Sequence, residues 1–462
     1  MRSLAGLALA LAGLAPLGAG VLLLTRTRVR LGLSIFVGMA AAMVLLPPLV
    51  YLGLYPTVPI VLLLGAIVLV CGLLVRKPSA VPVRVELGPL LVLAVPLVLL
   101  AARGAQKPVE QYDAFANWTL KAKLLFAGRS FADASIAPPV HREYPLGLPA
   151  LEAYVFHAMG RVDERTLHVL FPVFLGGLAL VAWNVLRPYV APWPLAAGLS
   201  VLLWMPAARD QALSQYADVP LACLFVTAVL LLGANSLALA SVFAAAALAT
   251  KRDAIAFCCV LYGVALLGAV ARRERERVRP LLAAAVLVAL TAVPWRVFSE
   301  VHDLRTNDVN PSLAHADELS FTLGRFAHVF VDRAYLFAVP LAAAAAVALL
   351  AQRRDRRLAL GSLVLGVGLV AALALVYVGG RTGVRYLVGS TAERTLLTPT
   401  FLAAVLLPLL VTRALGLEQQ PRVDPGSPRP RERLRRRLGT ARARARRLGR
   451  APLRQEAARP RP

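Results

Sequence analysis

Apolar residues run along most of this chain in long blocks, without the polar face that a water-soluble helix carries. Positions 4–24 and 31–52 are near-continuous Leu, Ala, Val and Gly. At about 1.5 Å per residue, each run is long enough for a helix to cross a hydrocarbon core about 30 Å thick. Comparable runs recur at 57–75, 87–102, 166–186, 192–208, 219–233, 236–250, 254–270, 280–296, 334–351, 358–378 and 396–413. The pattern predicts an all-α fold, a polytopic transmembrane bundle of about 13 spans with further helices lying along the outward interface. Four regions follow: N-terminal transmembrane helices over 1–102, an outward loop with interfacial helices over 103–165, a transmembrane core over 166–413, and a basic tail over 414–462.

Composition closes off the soluble alternative. Among 462 residues 58% are hydrophobic and 16% charged, and the mean hydropathy is +0.68; a globule of that size needs more polar surface than this. The formal charge of +26 does not point to nucleic acid, because the basic residues lie between apolar runs and in the tail. Arg26, Arg28 and Arg30, Arg76, Lys77 and Arg84, Arg187, Arg272–Arg279, Arg353–Arg357 and the tail fall on alternate connections. The positive-inside rule makes that side cytoplasmic and the other side outward. The first apolar run continues to Leu24 and is followed by arginines, which favours a retained span over a cleaved signal. Abundant Ala, Leu and Arg suggest a GC-rich genome, so the expected location is a bacterial plasma membrane. The arginine-rich tail is expected to be disordered or a surface helix held by anionic lipid. Cys71, Cys223, Cys258 and Cys259 all fall within apolar runs and are expected as buried small hydrophobes.

The outward side carries the chemistry. In Gln111–Lys123 a helical reading places Asp113, Asn117 and Lys121 on one polar stripe, with Phe115 and Trp118 at headgroup level. His141-Arg142-Glu143-Tyr144-Pro145-Leu146 follows and leads into an apolar, membrane-parallel helix near 147–159. Tyr216-Ala217-Asp218-Val219-Pro220-Leu221 sets a second carboxylate where a span begins, and Thr250-Lys251-Arg252-Asp253 sets two cations at the end of another. Loops over 297–333 and 379–395 are expected to face the same way. The first holds His302, Asp303, Asp308, His315, Asp317 and Glu318; the second holds a Gly-Arg stretch from Gly379 to Tyr386, then Glu393-Arg394.

In this order the motifs resemble the GT-C class of membrane glycosyltransferases, near the protein O-mannosyltransferase and aminoarabinose transferase families, over about residues 105–400. The essential Asp of that class's first outward loop corresponds to Asp113. Its Tyr-x-Asp-x-Pro-Leu turn matches Tyr216, Asp218, Pro220 and Leu221, and its Thr-Lys pair matches Thr250 and Lys251. The chain has Asp113-Ala114 where the mannosyltransferases carry Asp-Glu, and three additional spans precede the usual first one. The resemblance implies transfer of a sugar from a polyprenyl-phosphate donor to a glycan, lipid or protein acceptor.

Such a reaction needs a base toward the acceptor hydroxyl and cations toward the leaving phosphate. Asp113, as the base, and Asp218 are the expected catalytic carboxylates, although either also suits a helix cap. Lys251, Arg252, Arg385 and Arg394 are expected at the donor phosphate, and Lys251 also suits a lysine snorkelling to the interface. Tyr112, Lys121, His141, Glu143, Tyr144 and Tyr216 complete the expected substrate-binding set. A divalent ion held by His141 and Glu143 with Asp113 or Asp218 is a further possibility on ligand chemistry. Two other functions fit the same residues: a flippase for a lipid-linked saccharide, and a non-catalytic subunit of an envelope-assembly complex.

Overall fold

The computed structural model describes residues 2–27, 31–77, 87–129, 142–304, 315–380 and 383–417, and these are helical with no strand among them. His141, Asp308, the Arg381-Thr382 pair and residues 418–462 of the basic tail lie outside the described residues. The N-terminal helices are α1 (Arg2–Leu24), α2 (Leu31–Tyr51), α3 (Val58–Val75) and α4 (Leu87–Gly104). A π-helical turn at Ala114–Thr119 leads into α5 (Leu120–Phe126), followed by α6 (Gly147–Met159) and the short α7 (Glu164–Leu167). The core comprises α8 (Leu170–Leu186), α9 (Pro192–Trp204), α10 (Pro206–Ala212), α11 (Asp218–Gly233), α12 (Leu237–Thr250), α13 (Ala254–Ala271) and α14 (Arg275–Leu290). The chain continues through α15 (Val293–Val301), α16 (Leu319–Val331), α17 (Ala338–Ala351), α18 (Arg356–Val378), α19 (Val384–Thr395) and α20 (Leu397–Ala414).

Among the described residues nine helical segments are long and apolar enough to cross a membrane. The other four expected spans are present as apolar helices of 13 to 16 residues, α9, α11, α12 and α17. Their ends are set by local chemistry. Pro206 follows α9 and cannot donate to it, and Lys251 turns to extended backbone and stops α12. α11 is buried on nearly every face, against α8, α12 and α20, so it needs no lipid-facing stripe.

Helices in an apolar solvent gain little from hiding apolar surface, and close backbone approach takes its place. The α1–α2 crossing shows this: a Cβ on Gly18 would lie 1.8 Å from the Ser34 carbonyl oxygen, and one on Gly38 would lie 2.1 Å from that of Leu14. At the start of α6, a Cβ on Gly147 would lie 2.5 Å from the Ala249 carbonyl oxygen. That contact sets α6 against the end of α12, beside Lys251.

Two expected loops turn out to be partly helical. The 297–333 stretch contains the end of α15 and all of α16, and 379–395 contains α19. Val384, Val388 and Ala392 recur every four residues on α19 and are buried, with α16 packed beside it. Glycines and arginines around that stripe obscured it in the sequence. Among the cysteines, Cys223 and Cys258 are buried as expected; Cys71 and Cys259 instead point out of the bundle, where an apolar helix face tolerates a small side chain.

Candidate functional site

Four polar connections, from α4 to α8, α9 to α11, α12 to α13 and α18 to α20, meet at one end of the bundle. The Asp113 carboxylate Oδ2 accepts a hydrogen bond from Arg394 Nη1 at 2.5 Å, across 281 residues of sequence. Although Asp113 stands at the start of the π-helical turn, it makes no capping hydrogen bond there, so the capping role is not the one its side chain adopts. The Arg394 guanidinium lies over the ring of Tyr216, 4.5 Å from its centroid, a cation–π contact. The Tyr216 hydroxyl donates to Gln111 Oε1 at 3.2 Å.

Arg394 is held from behind. The Tyr377 hydroxyl is bonded to Thr391 Oγ1 and Thr395 Oγ1 at 2.6 and 2.8 Å, and the Tyr335 hydroxyl donates to the Glu393 carbonyl at 2.7 Å. These contacts fix the last turn of α19. Even so, Arg394 Nε–H is buried without an acceptor among the described residues, a costly state for a charged donor unless something accepts from it.

Beside this pair sits a second one. Lys251 Nζ lies 2.7 Å from Asp218 Oδ1 and 3.0 Å from Asp253 Oδ2. Lys251 is only 7% exposed, so it does not snorkel to the surface. Burial disfavours its charge, but the two carboxylates more than offset this and hold the ammonium above the usual lysine range. Asp218 is the first residue of α11, and its partner across the site is Lys251. Asp218 also lies within electrostatic reach of Arg394. The cluster therefore contains Asp113, Asp218 and Asp253 against Lys251 and Arg394, drawn from four separate segments.

The stripe of Asp113, Asn117 and Lys121 is corrected by the fold. A π-turn widens the helix and breaks the four-residue register, and what was expected as a polar surface is directed inward. Asn117 and Lys121 are buried, as is Trp118, and only Phe115 retains an exposed position. Lys121 Nζ donates to the Tyr144 carbonyl at 3.1 Å, and Trp118 stacks on the Tyr144 ring at 5.4 Å. Burial pushes the Lys121 ammonium down to about 7, with Glu143 acting in the opposite direction. Burial also raises the Tyr144 phenol, with Lys251 opposing it. Glu143 is buried, and its carbonyl accepts from the Trp295 indole N–H at 3.2 Å.

The remaining expected residues divide. Arg252, next to Lys251, lines a cavity of about 360 Å³ together with Glu143, Trp295, Arg296 and Glu300, and so borders the cluster. Arg385 is outside the site: it is exposed, pairs with Glu318 at 3.0 Å and lies over Phe321. Tyr112 is exposed at the edge, and His141 is outside the described residues. Among the described residues no three His, Cys, Asp or Glu side chains are grouped to hold a metal ion. Asp113, Asp218 and Asp253 are engaged by Arg394 and Lys251 in that same space.

Sequence reasoning missed three participants. Asp253 was visible in the Thr250–Asp253 stretch but was not credited with pairing to Lys251. Trp295 follows a proline at a span end, an ordinary interfacial signal, and it braces Glu143. Glu152 lies within the apolar α6 with both carboxylate oxygens buried and unbonded, and burial pushes it up to about 8. Compared with protein-family models, curated proteins and solved structures, the chain matches none.

Proposed function

We propose that this chain is an inverting membrane glycosyltransferase that moves a sugar from a polyprenyl-phosphate donor to a hydroxyl of a glycan, lipid or protein acceptor. The reaction is assigned to the outer face of a bacterial plasma membrane, with the basic tail in the cytoplasm against anionic lipid. The observation that carries the reading is the meeting of Asp113, Asp218, Lys251 and Arg394 at helix ends on one side of the bundle. GT-C-like chemistry uses these residue types there. A transport path places its ionisable groups near mid-membrane, whereas these residues stand at helix ends.

In the proposed step the acceptor O–H bond breaks as Asp113 takes the proton. The acceptor oxygen bonds to the anomeric carbon while that carbon's bond to the donor phosphate oxygen breaks. The electron pair leaves with the polyprenyl phosphate. Arg394, whose Nε–H has no acceptor among the described residues, binds the departing phosphate and offsets its developing charge. Lys251 carries the positive charge that keeps Asp218 ionised beside it, and Asp218 orients the acceptor. Tyr216 keeps the Arg394 guanidinium in plane.

The test is transfer of radiolabelled sugar from polyprenyl-phosphate donors to membrane acceptors, with wild type or Asp113→Asn in vesicles at equal protein level. Transfer by wild type and its loss in Asp113→Asn is the expected result. If the wild type transfers nothing from any donor and instead moves labelled lipid-linked sugar across the bilayer, the flippase reading takes its place.

A further inference from the structure

The cavity beside the ionic cluster has a wall that the resemblance does not account for. It is bounded by the ends of α2, α12 and α14, the starts of α13 and α15, and the segment around Glu143. α2 belongs to the three additional N-terminal spans, outside the 105–400 stretch that carries the glycosyltransferase-like motifs. We infer that this cavity seats a membrane-borne acceptor with an uncharged, hydroxylated headgroup and an aliphatic chain, a glycolipid in chemical class. This rests on the transferase reading and narrows its acceptor from three classes to one.

Three features lead to that class. First, the charged lining is balanced: Arg252 and Arg296 line it together with Glu143 and Glu300, and Arg296 Nε is already 2.9 Å from Glu300 Oε1. A phosphate needs surplus positive charge, whereas mixed carboxylates and guanidiniums offer both acceptors and donors to neutral hydroxyls. Second, two aromatic side chains line the space. Tyr51 and Trp295 lie 5.9 Å apart, Tyr51 stacks on Phe298 at 4.8 Å, and the indole N–H to the Glu143 carbonyl fixes Trp295. Rigid aromatic faces beside polar groups suit the apolar faces of a sugar ring.

Third, the cavity borders an exposed apolar surface. Ile255 and Val293 line it yet are about half-exposed, and Leu287 and Leu290 on the adjoining helix are more exposed still. That outer surface is apolar, as lipid requires, so a chain can leave along it while the headgroup stays inside. The volume of about 360 Å³ lies within the range of ligand pockets, roughly 300–1,000 Å³. At its inner end the polar lining adjoins the cluster, because Arg252 follows Lys251 and Glu143 precedes Tyr144. A polypeptide acceptor would approach from water and has no use for such a surface.

The full chain in nanodiscs of neutral phospholipid provides the test, with tryptophan fluorescence as the readout. The probes are a glycosyl diacylglycerol brominated on its acyl chains and a phosphatidic acid brominated in the same way. The quenching that belongs to this cavity is the part missing from Trp295→Phe. The expected result is saturable quenching by the glycolipid, at least about tenfold weaker in Glu300→Gln and Glu143→Gln. Tighter binding of the phosphatidic acid would overturn the inference in favour of an anionic head. So would quenching linear in mole fraction for both lipids, which marks ordinary lipid contact. Glu300 is exposed enough for its variant to fold, so weak binding there is not a folding effect. Because the readout is binding, saturable glycolipid quenching in a chain that transfers nothing would sink the transferase reading and leave the site standing. Transfer to a protein with no glycolipid binding would do the reverse.

Discussion

Two arginines on α19 present the same chemistry with opposite consequences. Arg385, near the start of the helix, is largely exposed and bonded to Glu318; Arg394, near its end, is largely buried and bonded to Asp113. An exposed pair of this kind adds roughly 0–1 kcal/mol, because water and salt screen it. A buried one leaves an uncompensated charge when broken, at a cost of about 3–5 kcal/mol. Position on one short helix therefore separates a surface contact from a site. The Gly-Arg pattern that suggested both as phosphate ligands did not distinguish them.

The comparison breaks most sharply at the cluster. Asp113→Asn keeps the shape and removes the base, and transfer is expected to fall about 10²–10⁴-fold with the thermal midpoint in detergent little changed; equal activity would end the proposed role. Lys251→Met leaves the buried Asp218 without its cation, and a large drop in thermal midpoint is expected, matching loss of about 3–5 kcal/mol. A midpoint within 2 °C of wild type would mean the pair is solvated.

Arg394→Ala is expected to slow transfer about 100-fold, and Arg394→Lys to recover only part of it, since an ammonium cannot engage Asp113 and a phosphate with one planar fork. Full rescue by lysine would reduce Arg394 to a point charge.

A third situation, buried and unpaired, is supplied by Glu152. Its carboxyl is raised to about 8, so between its unfolded value and about 8 the folded state holds a proton that the unfolded state has released. Stability therefore falls as pH rises through that window. Glu152→Gln is expected to be more stable than wild type by roughly 2–4 kcal/mol at pH 8, with the gap closing near pH 5. A constant gap across that range would show that the carboxyl is hydrated. The smallest effect is reserved for Arg385→Ala, expected to change transfer less than about twofold; a tenfold loss would restore it to the site.

Hydropathy made the bundle legible, because a 20-residue apolar run has few other uses in a chain this poor in charge. It revealed less about what faces what. The Asp113-Asn117-Lys121 stripe assumed a regular α-helix, and one π-turn redirected two of the three inward. Arg394 could be named from the sequence, yet its pairing with Asp113 spans 281 residues, and no local pattern encodes such a distance. Asp218 and Lys251 were easier to name, since each sits at the boundary of an apolar run, but their pairing with each other was not read from it. Glu152 was unreadable, because a single acid in an apolar helix lies equally well on either face until neighbours are known.

The separation of Asp113 from Arg394 also imposes an order on biosynthesis. At about 5–20 residues per second, the ribosome finishes Arg394 between roughly 14 and 56 s after Asp113, when most of the helices between them have already entered the bilayer. During that interval the first loop carries its carboxylate without its cation. A nascent chain stalled anywhere before α19 is thus a membrane-inserted but chemically incomplete protein, and the site is armed only once α19 is made.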